Sequence, residues 1–123
     1  MPSSPIISIV DDDDFFRNSL DNLIRSVGFR VQGFCSAEAF LNSDQVRDTA
    51  CLILDVRMPG MSGLELQRQI LAANWRIPII FVTSCADGAE RAHALEAGAV
   101  DYLYKPIRED YLINAIDAAL KHS

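Results

Sequence analysis

The feature that most constrains the fold is an alternation that runs the length of the chain: short apolar runs of strand length, each followed by a stretch with the apolar spacing of a helix. The runs lie at Ile6 to Val10, Phe29 to Phe34, Cys51 to Leu54, Ile79 to Val82 and Val100 to Leu103. Most are nearly continuous rather than alternating, as expected of strands buried on both faces. Between them, Phe16, Leu20, Leu23, Ile24 and Val27 share one helical face that Gly28 ends. Ser36 opens a short helix with Glu38 in its first turn and Ala39, Phe40 and Leu41 as its apolar side, and the polar segment from Asn42 to Thr49 reads as a loop. Ser62 and Glu65 have capping-box spacing ahead of Leu64, Gln67, Ile70 and Leu71, a helix that fades near Asn74. Asp87 and Glu90 repeat that spacing before an Ala-rich helix closed by Gly98, and Leu112, Ile116, Ala119 and Leu120 mark a last core face. Parallel neighbours need crossover connections, so the pattern predicts an α/β fold with a parallel sheet covered by helices on both faces. With 123 residues, 50% of them hydrophobic, the chain is long enough for one domain with one core and no disulfide or metal staple.

In open sheets of this kind, ligands bind beyond the carboxyl ends of the strands. Polar residues can therefore be sorted by where the strands deliver them. Asp11 and Asp12 end the first strand, Asp55 the third and Thr83 the fourth, while Lys105 follows the fifth. Asp13 or Asp14 is placed to cap the first helix, which leaves Asp11 and Asp12 without a capping duty. Asp55, followed by the turn at Pro59-Gly60, is the candidate reacting group. Taken alone, it could equally be a turn residue or a helix cap. Its predicted companions at the rim decide in favour of chemistry.

Carboxylates gathered within a few ångströms repel by roughly 4 kcal/mol per close pair at an effective dielectric near 20. Something positive must sit among them. Lys105 offsets one charge, and the remaining all-oxygen, negative site suits a hard divalent cation such as Mg²⁺, which takes one or two carboxylates and completes its shell with a phosphate oxygen. Such a site invites a phosphoryl group, with Asp55 as nucleophile and an aspartyl phosphate as product. Thr83 could then hydrogen-bond a phosphoryl oxygen, and Lys105 could stabilise charge on it. The Lys105-Pro106 bond is open to either isomer. Tyr102 either packs at the sheet edge or turns between outward and inward positions.

Composition excludes several classes. A formal net charge of -6 lacks the basic stripe needed to grip a phosphate backbone, so direct nucleic-acid binding by this domain is not expected. Three cysteines, Cys35, Cys51 and Cys85, with no C-x-x-C spacing, suit a reducing compartment, and Cys85 reads as a small apolar filler. No basic-then-apolar leader and no run of roughly 20 apolar residues is present, so the expectation is a soluble, cytoplasmic protein without membrane contact. His93 and His122 read as surface residues.

Several stretches together carry a family likeness: Val10-Asp11-Asp12, Leu54-Asp55-Val56-Arg57-Met58-Pro59-Gly60-Met61-Ser62-Gly63, Val82-Thr83-Ser84, and Ala97-Gly98-Ala99-Val100-Asp101-Tyr102 leading into Lys105-Pro106. The chain resembles a response-regulator receiver domain of bacterial two-component signalling from Ile6 to about Leu120, and the domain is taken as residues 1–123. Phe34-Cys35-Ser36-Ala37-Glu38-Ala39-Phe40-Leu41 is further similar to the FixJ-type branch. The resemblance implies a flavodoxin-like sheet of order 2-1-3-4-5 and phosphoryl transfer to Asp55 from a sensor histidine kinase. It implies Mg²⁺ held by Asp12, Asp55, the Arg57 main-chain carbonyl and, through water, Asp11. Thr83 and Tyr102 would be switch residues and Lys105 the phosphate contact. Phosphorylation would remake the surface of the fourth helix, fifth strand and fifth helix, promote homodimers there and control an output, transcription through a DNA-binding domain outside this chain. The little apolar bulk between Asp87 and Ala97 agrees with a movable helix. Such a domain is no enzyme beyond its own phosphorylation and dephosphorylation. Rivals fit less well. A phosphohydrolase with an Asp nucleophile wants a second Asp where Arg57 stands, and a nucleotide binder wants a Gly/Ser/Thr cradle where four aspartates follow the first strand. The remaining alternative is a receiver-like interaction module that works without phosphorylation.

Overall fold

The computed structural model describes residues 5–121. Five strands, β1 (Ile6–Val10), β2 (Arg30–Phe34), β3 (Thr49–Asp55), β4 (Ile79–Thr83) and β5 (Asp101–Tyr104), form one parallel sheet of order β2-β1-β3-β4-β5. The helices alternate with them: α1 (Asp14–Ser26), α2 (Ala37–Leu41), α3 (Gly63–Ala72), α4 (Gly88–Glu96) and α5 (Glu109–Lys121). Both the fold class and the strand order are those expected.

Side-chain alternation along the strands divides the core in two. Ile7, Ile9, Cys51, Ile53, Ile80 and Val82 face α1 and α5, where Leu20, Ile24, Leu112, Ile116 and Ala119 are buried against them. Val10, Leu52, Leu54 and Phe81 face α2, α3 and α4, meeting Phe40, Leu66, Ile70 and Ala94. Each strand of the centre is therefore apolar on both sides, which is why its sequence runs without alternation.

The helix starts follow their caps. Asp13, not Asp14, accepts the Phe16 amide at 3.1 Å, and Ser36 accepts that of Ala39 at 3.0 Å. At α3 the box is complete: Ser62 Oγ accepts the Glu65 amide while Glu65 Oε1 accepts the Ser62 amide, both at 3.2 Å. At α4 it is half made. Asp87 Oδ1 accepts the Ala89 and Glu90 amides, but the Glu90 carboxylate turns away to Arg57.

Some boundaries differ from the sequence reading for identifiable reasons. β3 begins at Thr49, inside the expected loop, because Thr49 pairs with Ile6 and its Oγ1 lies 2.6 Å from Ser8 Oγ. Val27 is exposed because the helix has already ended there. On α3 the buried face is Gly63, Leu66, Gln67 and Ile70, so Leu71 sits one step around the helix, half exposed, and Leu66 fills the core instead.

Candidate functional site

The carboxyl ends of β1 and β3 are adjacent in the sheet, and each strand hands its last side chain to the same lip. One oxygen each from Asp11, Asp12 and Asp55 lie within 4.8 Å of one another. Asp11 and Asp55 are buried and Asp12 is exposed, so the cluster opens on one side to solvent.

Asp11 is fully committed. Its Oδ1 accepts the Asp13 amide and its Oδ2 accepts Lys105 Nζ, both at 2.9 Å. The same ammonium stands 3.7 Å from Asp55 Oδ2 and 4.1 Å from the centroid of the Phe16 ring. Lys105 comes from the turn after β5, where its amide donates to the Thr83 carbonyl at 2.7 Å and its bond to Pro106 is cis. Asp55 Oδ1 has a weaker partner, the Arg57 amide at 3.4 Å. Burial, followed by the charge of Asp11, pushes the Asp55 carboxyl up to about 6, although Lys105 and the Arg57 amide pull it down.

A divalent cation fits this donor set. Every available donor is a hard oxygen, the carboxylates outnumber the ammonium, and one oxygen from each of the three acids lies within 4.8 Å of the others, the hard, negative donor set that a divalent cation such as Mg²⁺ prefers. Asp12 is the carboxylate most open to such an ion. Asp11, with both oxygens engaged, is suited to reach it through water.

Thr83 ends β4 almost wholly buried, in the strand next to Asp55. Its Oγ1 accepts the Cys85 amide at 3.1 Å. Tyr102 lies inward, 3% exposed, with its ring 5.9 Å from that of Phe81 and 5.6 Å from that of Tyr104. Its buried hydroxyl has no hydrogen-bond partner among the described residues. Burial raises the phenol to about 12, and the nearby charge of Glu90 adds to the effect.

Three supporting contacts were not anticipated from sequence. Gly63 passes so close beneath the acceptor that a Cβ there would come 2.1 Å from the Asp55 carbonyl oxygen, and its amide donates to Val56 O at 2.9 Å. Glu38 Oε2 accepts the Met61 amide at 3.1 Å and closes over Gly60, which has φ of 76°. Arg57, considered for its carbonyl, sends its side chain to Glu90 Oε1 at 2.9 Å. The Ser-Gly of the capping box was the visible signal for Gly63; the other two depend on contacts across the fold. His93 is exposed, and His122 lies outside the described residues.

Residues 7–117 match the family described as the response regulator receiver domain. The chain is 48% identical over 116 residues to the response regulator protein TmoT of Ectopseudomonas mendocina, covering 94% of this chain and 53% of that protein. It is 39% identical to the transcriptional regulatory protein FixJ of Azorhizobium caulinodans, covering all of this chain and 58% of that one. Thus the chain spans about half the length of these curated relatives. The crystal structure of FixJ-N superposes with a TM-score of 0.88 at 38% identity, covering 99% of this chain and 98% of that one. Among the described residues no helix is long and apolar enough to cross a membrane.

Proposed function

The chain belongs to the response regulator receiver family of two-component signalling, of FixJ type, and on that premise we propose that Asp55 is its phosphoacceptor and that a sensor histidine kinase is the donor. The observation that carries the reading is the convergence of Asp11, Asp12 and Asp55 within 4.8 Å, with Lys105 at 2.9 Å from Asp11 and 3.7 Å from Asp55.

An Asp55 oxygen attacks phosphorus, the phosphorus–nitrogen bond of the donor phosphohistidine breaks, and the imidazole leaves with its electron pair and takes up a proton. At neutral pH Asp55 is mostly ionised despite its raised pKa, so it is competent as the nucleophile. Lys105, already between Asp11 and Asp55, pairs with an oxygen of the product. Asp12, Asp55 and the Arg57 carbonyl would hold Mg²⁺, with Asp11 acting through water. Bound magnesium supplies a divalent charge that neutralises the carboxylates and the transferring oxygens. The Thr83 hydroxyl donates to the new phosphoryl group, and the inward Tyr102 follows it as the second switch residue.

The response reaches the face made by α4, β5 and α5, where Tyr104 and Tyr111 are exposed and available to a second copy of the chain. Homologues named as transcriptional regulators support control of transcription as the output. The cysteine usage supports a cytoplasmic setting. A small phosphodonor with Mg²⁺, followed by intact mass, tests the core of the reading. One phosphoryl group is expected on wild type and none on Asp55→Asn; an unmodified wild type, or a modified variant, sinks it.

A further inference from the structure

Arg57 belongs to two places at once. Its main chain is at the acceptor, where the amide donates to Asp55 Oδ1, while its side chain crosses to α4, with Nη2 2.9 Å from Glu90 Oε1 and 3.8 Å from Asp87 Oδ2. The helix it reaches is poorly held elsewhere. Ala94 is its single buried residue, and the carbonyl of that residue accepts Gln67 Nε2 at 3.1 Å. Those holds lie in the second half of α4. The first turn has exposed Gly88 and Ala89, and its amides rest on Asp87, one of the two acids paired to Arg57.

We propose that the Arg57 side chain is a positioning residue that ties the amino end of α4 to the acceptor loop through Glu90 and Asp87, and that phosphorylation of Asp55 releases the tie. The release rests on Asp55 being the acceptor. Phosphorylation replaces the single carboxylate charge of Asp55 with about two on the phosphoryl oxygens, a gain of roughly one negative charge two residues from Arg57, and those oxygens offer a guanidinium a bidentate partner that competes with the part-exposed carboxylates of Glu90 and Asp87. One cation cannot serve all three acids in full. The charge of Glu90 also acts on the Tyr102 phenol, whose hydroxyl has no hydrogen-bond partner among the described residues.

Hydrogen exchange at the Ala89, Glu90 and Arg91 amides tests the tie in the unphosphorylated protein. Arg57→Met and Glu90→Gln should each speed exchange roughly three- to tenfold, as expected for losing a part-exposed ion pair on a weakly held segment. Combined, they should be no faster than the faster single variant, and Arg57→Lys should retain much of the protection. No change in Arg57→Met, or two effects that multiply, overturns the tie; the second result would mean that Glu90 acts only as a helix-terminal acid. For the release, wild type and Glu90→Gln are given a small phosphodonor and Mg²⁺, with uptake read by intact mass. Wild type should then exchange faster at these amides, and Glu90→Gln should take up one phosphoryl group with little further acceleration. A full response in phosphorylated Glu90→Gln overturns the release. Absence of added mass on wild type overturns the acceptor reading and the release with it, whereas the tie is judged on the unphosphorylated arm.

Discussion

The two halves of the carboxyl edge are built on opposite terms. At β1 and β3 the buried groups are gripped: Asp11 by an amide and an ammonium, Asp55 by the passage of Gly63 beneath it, the following turn by Glu38. At β4 and β5 the holds are loose, with α4 burying Ala94 alone and a Tyr102 hydroxyl that has no partner among the described residues. Transfer of a phosphoryl group demands fixed distances, whereas reporting it demands an element near the low end of local stability. A single domain meets both needs by placing them side by side.

If the gripped half depends on close approach, Gly63→Ala should be the most damaging single change. The added Cβ meets backbone oxygen at 2.1 Å, which no side-chain rotation relieves, so the loop carrying Asp55 must move. A loss on the order of 4 kcal/mol is expected in urea unfolding, or failure to fold. A variant within 1 kcal/mol of wild type would mean the loop is as compliant as α4, and the contrast would collapse.

Lys105→Met breaks the same half through charge. Asp11 is wholly buried and loses its ion-pair partner, leaving three carboxylates uncompensated, so without magnesium the cost should be about 3 kcal/mol. Millimolar Mg²⁺ should return part of it, a recovery visible as a rise in melting temperature larger than wild type shows.

The opposite sign is expected when the least comfortable acid is removed. Asp55 titrates near 6 in the folded chain against an ordinary value of 3.8, so above pH 6 the folded state carries a charge that it holds less well than the unfolded chain does. Asp55→Asn should therefore stabilise the metal-free protein by about 2 kcal/mol at pH 8. As pH falls through 6 the folded wild type takes up a proton that the unfolded chain does not yet bind, and it gains stability. The advantage of the Asn variant should shrink to nothing near pH 4. Urea titrations at pH 8, 6 and 4 measure this trend, and a pH-independent difference would assign the effect to packing.

The order of elements could be read from the residues because apolar runs buried on both faces leave a continuous pattern, and the cap residues Ser36, Ser62 and Asp87 stand at the helix starts they announced. Strand ends were less legible. Thr49 belongs to β3 by virtue of a hydroxyl contact with Ser8, and Tyr104 to β5 by pairing with Thr83, neither of which is local in sequence. The gathering of Asp11, Asp12, Asp55 and Lys105 followed from the rule that parallel strands all end on one edge. What lay beyond reach was anything decided by approach between separate segments: the 2.1 Å limit at Gly63, the crossing from Arg57 to Glu90, and the inward placement of Tyr102.

Tyr102 supplies the mildest test, on the loose half. A buried hydroxyl with no partner among the described residues has lost its hydration and gained nothing from them in exchange, so deleting it removes a penalty and leaves the ring contacts with Phe81 and Tyr104 in place. Tyr102→Phe should be neutral or more stable by up to about 1 kcal/mol in the unphosphorylated protein. Were the hydroxyl needed to hold α4 in place, the same variant would lose stability by a comparable amount and exchange its α4 amides faster. If instead the hydroxyl is kept for the phosphorylated state and finds an acceptor there, the variant's gain should vanish once Asp55 is modified, because wild type then makes a hydrogen bond that the variant cannot make. Unfolding of both proteins with and without phosphodonor separates the two cases, since only the second makes the difference between them depend on phosphorylation.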